Sequence, residues 1–288
     1  MDLAGIGLLA VAALLHSVWN LLARRSANKQ VFLWTALVVG SAGYLVPGLL
    51  LYHPLPAAAW GLIALSGGLE AVYFLLLGSA YQRGDLSLVY PLARGTALLA
   101  VAVLARTVLG ERITPTGVLG IGLVVGGMVV LHVRTLDRAG LLAPLRSLRE
   151  RPSQLAVLTG LTTAGYSLVD KVGVPLAGPW LYLWLIFVVA AVALAPYMLL
   201  ARRAAVRAEW QANRPAILVT AGLFFAAYGL VLVALTRSPV SYVAAVREIS
   251  VVFAALRGTL VLREPFAGSK TLGATLIFAG ILVLGVVG

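Results

Sequence analysis

Apolar residues along this chain fall into long runs of about 20 residues, the length with which a helix spans a bilayer. The runs do not alternate strictly between apolar and polar positions, so they predict helices rather than the strands of a membrane barrel. Short breaks rich in proline, glycine and charge separate them, such as His53-Pro54 and Gly84-Asp85. We predict ten spans, at residues 3–23, 31–52, 60–82, 86–109, 115–132, 155–175, 179–200, 215–236, 241–262 and 270–287. The pattern therefore predicts an all-α membrane protein.

Composition supports this interpretation. Of the 288 residues, 61% are hydrophobic and 11% are charged, whereas a soluble domain has about 25% charged residues. Hydrocarbon accepts so apolar a surface and water does not. The chain has no cysteine, which excludes disulfides, thiolate metal sites and cysteine nucleophiles.

The basic residues are distributed very unevenly between the loops. Loops after the odd-numbered spans hold fifteen of the 22 lysines and arginines, and loops on the opposite side hold two, Arg112 and Arg237. Because cytoplasmic loops are enriched in Lys and Arg, we predict that both termini lie outside the cytoplasm. We assign the net charge of +12 to this topology and not to nucleic acid. We expect a multi-pass protein of the cell's inner, or plasma, membrane, without a cleaved signal peptide, because no basic segment precedes the first run.

An internal repeat divides the chain into halves. Residues 87–131 align without gaps on residues 240–284, and eleven of the 45 positions are identical, including Arg94 with Arg247. Because each half contains an odd number of spans, the second is inverted relative to the first, and we expect a central cavity where the two meet. The predicted units are a first five-helix repeat at 1–132, a basic linker at 133–154 and a second five-helix repeat at 155–288.

Two stretches, one in each half, carry related motifs. The first reads Ala-Tyr-Gln-Arg-Gly-Asp-Leu-Ser at residues 80–87, followed by Tyr90-Pro91-Leu92, Leu109-Gly110-Glu111-Arg112, Gly120 and Gly127. The second reads Leu-Thr-Arg-Ser-Pro-Val-Ser at residues 235–241, followed by Leu262-Arg263-Glu264-Pro265, Gly273 and Gly280.

Together with His16, Trp19 and Asn20 in the first span, these motifs resemble the EamA-type transporters of the drug/metabolite transporter superfamily, in a His-x-x-Trp-Asn subgroup. The resemblance implies ten helices in two inverted repeats around a cavity lined by spans 1, 3, 4, 6, 8 and 9. It also implies export of amino acids or other metabolites. Many members of the family have cytoplasmic termini, opposite to what the charges predict here.

Charged residues inside the spans are the candidates for function, because each costs about 2.5–3.5 kcal/mol in a bilayer. Arg94 and Arg247, which the repeat relates, are predicted to bind an anionic group. Glu70 or Glu248 would then bind an amine or carry a coupling proton. The alternative is a structural ion pair, for example Arg94 with Glu70 or Glu248. Further residues predicted to line the same cavity are His16, Trp19, Asn20, Tyr73, Tyr90, Tyr166, Asp170 and Tyr228.

Catalytic signatures are missing from the sequence. The three histidines fit no zinc spacing, and there is neither a nucleotide-binding glycine loop nor a Gly-x-Ser-x-Gly motif. We therefore predict a transporter rather than an enzyme, with no metal and no cofactor.

The predicted function is secondary transport, by alternating access, of a small polar metabolite such as an amino acid, another zwitterion or an organic anion, in the direction of export. The alternatives are a membrane-embedded enzyme or lipid-phosphate-handling protein, and a passive channel. The expected partners are the small-molecule substrate and the lipid bilayer. Proton coupling and a homodimer packed through the glycines of the fifth and tenth spans are both left open.

Overall fold

The computed structural model describes residues 3–84, 86–132, 148–253 and 268–286, and in these ranges the chain is helical with short turns and no strand. The helices are α1 (Leu3–Arg25), α2 (Lys29–Gly43), α3 (Leu45–Leu50), α4 (Ala57–Arg83), α5 (Leu86–Val108), α6 (Pro115–His132), α7 (Arg151–Ala177), α8 (Pro179–Pro196), α9 (Arg203–Arg237), α10 (Val240–Arg247) and α11 (Gly268–Val286). The all-α prediction is confirmed for these residues. Most of the predicted basic linker at 133–154 lies outside them.

Local sequence signals account for several helix ends. The Asn28 side chain accepts a hydrogen bond from the Val31 backbone N–H at 3.2 Å and so caps the start of α2. Between α7 and α8, Gly178 has φ +74°, in the left-handed region that favours glycine. Pro179 follows as the first residue of α8, a position that needs no backbone donor. The predicted spans begin or end within two residues of these helix ends.

Two predicted spans are bent or divided. The span predicted at 31–52 is divided at Tyr44 between α2 and α3. Helix α9 begins at Arg203, well before the predicted start of its span, and has non-helical backbone at Asn213. Pro215, two residues later, lacks the backbone donor that a continuous helix uses, so a kink at this point has a direct cause.

The span predicted at 241–262 is interrupted, which corrects the expectation of one continuous helix. Helix α10 ends at Arg247, Glu248 forms a turn, and helical backbone resumes at Ile249. Neither glycine nor proline marks this position, so the sequence carried no signal for the break. The interruption frees backbone carbonyl groups for partners outside the helix.

The two halves pack against each other in a symmetric pattern. Helix α4 packs on α7, and its repeat equivalent α9 packs on α1. In the same way, α9 packs on α2 and α4 packs on α8. The equivalent helices α5 and α10 contact each other, as do α6 and α11. This reciprocity is expected of two related halves arranged around a two-fold axis.

The contact between α6 and α11 runs through glycines at the seven-residue spacing seen in the sequence. A Cβ atom at Gly127 would lie 2.6 Å from the Gly273 carbonyl oxygen, and one at Gly280 would lie 2.6 Å from the Gly120 carbonyl oxygen. Only glycine permits so close an approach of two helices. Because residue numbers rise along α6 as they fall along α11, these two repeat-related helices run antiparallel.

Apolar side chains also cover much of the outer surface. Leu50 is 82% exposed and Leu200 is 86% exposed. Within the described ranges, four segments are long and apolar enough to cross a bilayer: Ala4–Ala23, Ala57–Arg83, Pro179–Ala201 and Arg203–Arg237. Shorter apolar helices occupy Pro115–Val130 and Thr271–Gly285. Lipid tails accept such a surface, whereas water would drive it to associate.

Candidate functional site

A cavity lies between the two halves, with about 540 Å³ of space free of protein atoms, a volume that includes open solvent. Its lining residues come from α1 (Ala12, Ala13, His16, Trp19), α4 (Glu70, Tyr73, Phe74), α5 (Arg94), α7 (Tyr166), α8 (Phe187), α9 (Phe224, Ala227, Tyr228, Val231) and α10 (Arg247). The family resemblance implied a lining from the spans that correspond to α1, α4, α5, α7, α9 and α10, and α8 adds Phe187. The cavity thus brings together eight of the predicted site residues: His16, Trp19, Glu70, Tyr73, Arg94, Tyr166, Tyr228 and Arg247.

Aromatic rings form much of the cavity wall. The rings of Trp19 and Phe224 are 4.8 Å apart and meet edge to face. Tyr166 lies between Tyr73, at 5.6 Å, and Tyr228, at 6.0 Å, again edge to face in both pairs. Such contacts stabilise the rings and fix their orientation. The wall therefore offers a firm apolar surface that also carries tyrosine hydroxyls.

Arg94 is neutralised by an acidic residue of the other half. Its Nη2 atom lies 2.9 Å from Glu248 Oε1, and its Nε donates to Glu248 Oε2 at 3.1 Å. This two-point contact is the strong geometry for an arginine and a carboxylate. Nη2 also donates to the Arg247 carbonyl oxygen at 3.2 Å, at the end of α10. Arg94 thus has the structural ion pair that the sequence left open as an alternative.

Arg247 differs from Arg94 although the repeat relates them. Among the described residues no acidic side chain forms an ion pair with Arg247, and its Cζ atom lies 5.7 Å from the centre of the Tyr228 ring in a cation–π contact. The repeat offset of 153 explains the difference, because the residue equivalent to Glu248 is Gly95. The symmetric place beside Arg247 therefore holds no carboxylate.

Glu70 is the second charged residue of the cavity wall without an ion-pair contact among the described residues. Its side chain is 3% exposed and lines the cavity. It forms no ion pair with any residue that the structure describes. A buried charge without a partner is costly, so Glu70 requires a proton, a cationic ligand group or water from the cavity.

Asp170 lies behind the cavity wall and is fully buried, with 0% exposure. Its Oδ1 atom accepts hydrogen bonds from Ser66 Oγ at 2.5 Å and from the Tyr182 hydroxyl at 3.1 Å. The Tyr228 hydroxyl donates to Oδ2. Since Tyr228 also lines the cavity, its side chain connects the cavity to this buried carboxylate.

Four predicted site residues lie outside the cavity lining: Asn20, Tyr90, Asp170 and Glu248. Asn20 Oδ1 accepts a hydrogen bond from the Tyr81 hydroxyl at 3.3 Å, and the Tyr90 hydroxyl lies 3.2 Å from Ser250 Oγ. Helical spacing predicted that these four side chains lie near the charged residues. It could not predict whether each one contacts a neighbouring helix or the cavity.

Sequence reasoning missed the apolar part of the lining. Phe224 and Val231 lie about one helical turn on either side of Tyr228 in α9, so helical spacing could have found both. Phe187 in α8 gave no signal, because an apolar residue is the ordinary occupant of a membrane span.

Comparison with known proteins gives the class of this chain. Residues 152–286 match the EamA-like transporter family, so the second half of the chain belongs to that family and the resemblance is confirmed there. No curated protein matches the sequence. Among the solved structures that match, one protein crystal structure is 17% identical and superposes with a TM-score of 0.74, over 98% of this chain and 96% of the other. At that identity the likeness shows a shared fold and nothing more.

The family match and the apolar helices together indicate a multi-pass membrane protein that transports small molecules. Members of the EamA-like family are transporters and not enzymes. The cavity between the halves is the candidate for the place where the transported molecule binds.

Proposed function

We propose that this protein is a secondary transporter that exports a small zwitterion, with an amino acid as the model, across the plasma membrane by alternating access. The observation that carries the proposal is the charge pattern of the cavity. Arg247 and Glu70 face the cavity without ion-pair partners in the described part of the chain, while Arg94 is already neutralised by Glu248. A ligand with one negative and one positive group supplies what both residues lack.

The expected arrangement of the ligand follows from the lining. Its carboxylate binds the Arg247 guanidinium, and its ammonium group binds the Glu70 carboxylate. The apolar part of the ligand packs against the aromatic wall around Phe224 and Tyr166.

Alternating access requires two halves that can exchange roles, and we propose two inverted five-helix repeats. The antiparallel contact of α6 with α11 supports this arrangement. Two equivalent helices that run antiparallel are related by an axis perpendicular to them, which lies in the membrane plane if the helices span the membrane. Repeats related by an axis along the membrane normal would have parallel equivalent helices.

A thermal-shift comparison of three matched probes tests the ligand class. L-leucine has both charged groups, L-leucinamide lacks the carboxylate and 4-methylpentanoate lacks the ammonium group. A ligand at 100 times its Kd stabilises the protein by about 2.7 kcal/mol. We expect L-leucine to raise the Tm most and each of the other probes to raise it less, because each leaves one charge of the cavity wall unpaired.

Transport itself is measured as counterflow of labelled L-leucine in proteoliposomes. We expect Arg247→Gln to abolish counterflow and the L-leucine thermal shift while the Tm of the ligand-free protein changes little, since no described carboxylate lies within ion-pair distance of Arg247. The matched control is Arg237→Gln, which removes an arginine at the end of α9 outside the cavity lining. Unchanged counterflow in Arg247→Gln would refute the proposed site.

A further inference from the structure

Helix α9 is longer than a membrane span requires. It has 35 residues, which at about 1.5 Å per residue make roughly 52 Å of helix, whereas the hydrocarbon core of a bilayer is about 30 Å thick. Residues 215–237 are enough to cross that core. The part before them, residues 203–214, is set off by the non-helical backbone at Asn213, and we call it the surface segment.

Three arginines and a tryptophan share one side of the surface segment. In order along the chain, at spacings of four, three and four residues, they are Arg203, Arg207, Trp210 and Arg214. Residues at this spacing line one side of a helix. The three arginines are exposed and Trp210 is half-buried. The Arg214 Cζ atom lies 5.5 Å from the centre of the Trp210 ring, a cation–π contact that keeps Arg214 in the row despite the bend.

The charge of this row is not balanced by acidic neighbours. None of the three arginines forms an ion pair with an acidic side chain in the described part of the chain. The one acid of the surface segment, Glu209, is 3% exposed. It accepts hydrogen bonds from the Asn28 backbone N–H at 3.1 Å and from Asn213 Nδ2 at 2.5 Å. The exposed side of the segment therefore carries positive charge only.

Neighbouring side chains place the row at the boundary between lipid tails and headgroups. Leu199 and Leu200, just before α9, are 49% and 86% exposed, which suits contact with lipid tails. Two residues later, Arg202 Nε donates to the Tyr197 hydroxyl at 3.0 Å. Tyrosine and tryptophan concentrate at the headgroup level of a bilayer, and here Tyr197 and Trp210 each contact an arginine. The row of arginines thus begins where the apolar outer surface ends.

We propose that Arg203, Arg207 and Arg214 form a binding site for the headgroups of anionic phospholipids, with Trp210 as the anchor of the surface segment at headgroup level. A planar guanidinium group matches phosphate oxygens in two-point contacts. The position favours lipid over a soluble anion, because the row borders an apolar surface that lipid tails cover. The site lies outside the central cavity, so it does not depend on the identity of the transported molecule.

Thermal unfolding of the full-length protein in a nonionic detergent tests the class of ligand. Dioctanoylphosphatidylglycerol, which carries one negative charge, is compared with zwitterionic dioctanoylphosphatidylcholine at the same concentration. We expect the anionic lipid to raise the Tm more, because a ligand that binds the folded state stabilises it. Sodium phosphate should not reproduce the shift, since it lacks the tails that hold a headgroup at the interface. Equal shifts with the two lipids, or an equal shift with free phosphate, would overturn a site for anionic phospholipid.

Two triple variants with the same change in charge locate the binding. The test variant carries Arg203→Gln, Arg207→Gln and Arg214→Gln. The control variant removes three exposed arginines around the junction of α9 with α10: Arg106→Gln, Arg112→Gln and Arg237→Gln. At that junction, which is the opposite end of α9, the Glu111 carboxylate accepts a hydrogen bond from the Val240 backbone N–H at 2.7 Å.

Titration with dioctanoylphosphatidylglycerol gives the apparent affinity of each protein. We expect roughly 100-fold weaker binding in the test variant, because three cations that each attract an anionic headgroup are removed, and little change in the control. The Tm without lipid should be nearly the same in all three proteins, since the replaced arginines are exposed and form no ion pair among the described residues. Equal losses in the two variants would overturn the site and indicate general attraction to a protein of net charge +12. Wild-type affinity in the test variant would overturn it as well.

Discussion

One substitution, Gly95→Glu, should remove the difference between the two cavity arginines. Gly95 is the repeat equivalent of Glu248, and a Cβ atom added there meets no neighbouring atom within 4 Å, so a longer side chain has room. The introduced carboxylate is expected to reach Arg247 as Glu248 reaches Arg94, with an N–O separation of 2.9 Å in the native pair. Arg247 would then have a permanent partner in place of the ligand carboxylate.

The magnitude follows from the native pair. Two opposite unit charges about 4 Å apart attract each other by about 4 kcal/mol at an effective dielectric constant of about 20, and desolvation cancels part of this. A ligand carboxylate must compete with that attraction, so we expect a loss of about 2–4 kcal/mol, which is roughly 30- to 1,000-fold in Kd. The stability of the ligand-free protein should not fall, because glycine is a poor residue inside a helix.

The assay is the Kd of L-leucine in detergent, measured by calorimetric titration for the wild type, Gly95→Glu and Gly95→Gln. The glutamine variant has nearly the same shape without the charge and should keep most of the affinity. Equal losses in both variants would mean that the added side chain blocks the cavity by its bulk. Unchanged affinity in Gly95→Glu would refute the argument that Arg247 binds the ligand because the repeat gives it no acid.

Three further predictions concern stability and topology. Arg94→Gln leaves the buried Glu248 carboxylate unpaired and should destabilise the protein by about 3–5 kcal/mol. Adding Glu248→Gln should restore much of the Tm, and no restoration would mean that the loss does not come from the unpaired carboxylate. Gly127→Leu should cost about 1–3 kcal/mol by forcing α6 away from α11, whereas Gly122→Leu on the open face of α6 should cost little. An equal cost at both glycines would point to a partner on the open face. A phosphatase reporter that is active only outside the cytoplasm, fused after Gly288, should be active, and inactivity would reverse the predicted topology.

The sequence by itself determined which segments are membrane helices. Hydrocarbon imposes a length of about 20 residues on every helical span and excludes charge from most positions, so hydropathy locates the long apolar helices, although not their bends and interruptions. The repeat also shows in the sequence why Arg94 and Arg247 differ, since the residue equivalent to Glu248 is Gly95. The arrangement as ten helices in two inverted repeats remains a prediction that the antiparallel α6 and α11 support.

Only the tertiary structure decided how each helix is rotated and what each polar side chain contacts. In a bilayer an apolar side chain is equally suited to lipid, to a neighbouring helix and to a cavity wall, so hydropathy does not distinguish the three, and Phe187 could not be predicted as part of the lining. For the same reason Asp170 and Tyr228, both polar and both inside spans, looked alike in the sequence. The fold places Asp170 behind the wall and Tyr228 in it. Helix α10 ends at Arg247, where Arg94 of the other half donates to the freed carbonyl oxygen, and no local propensity encodes a partner 153 residues away.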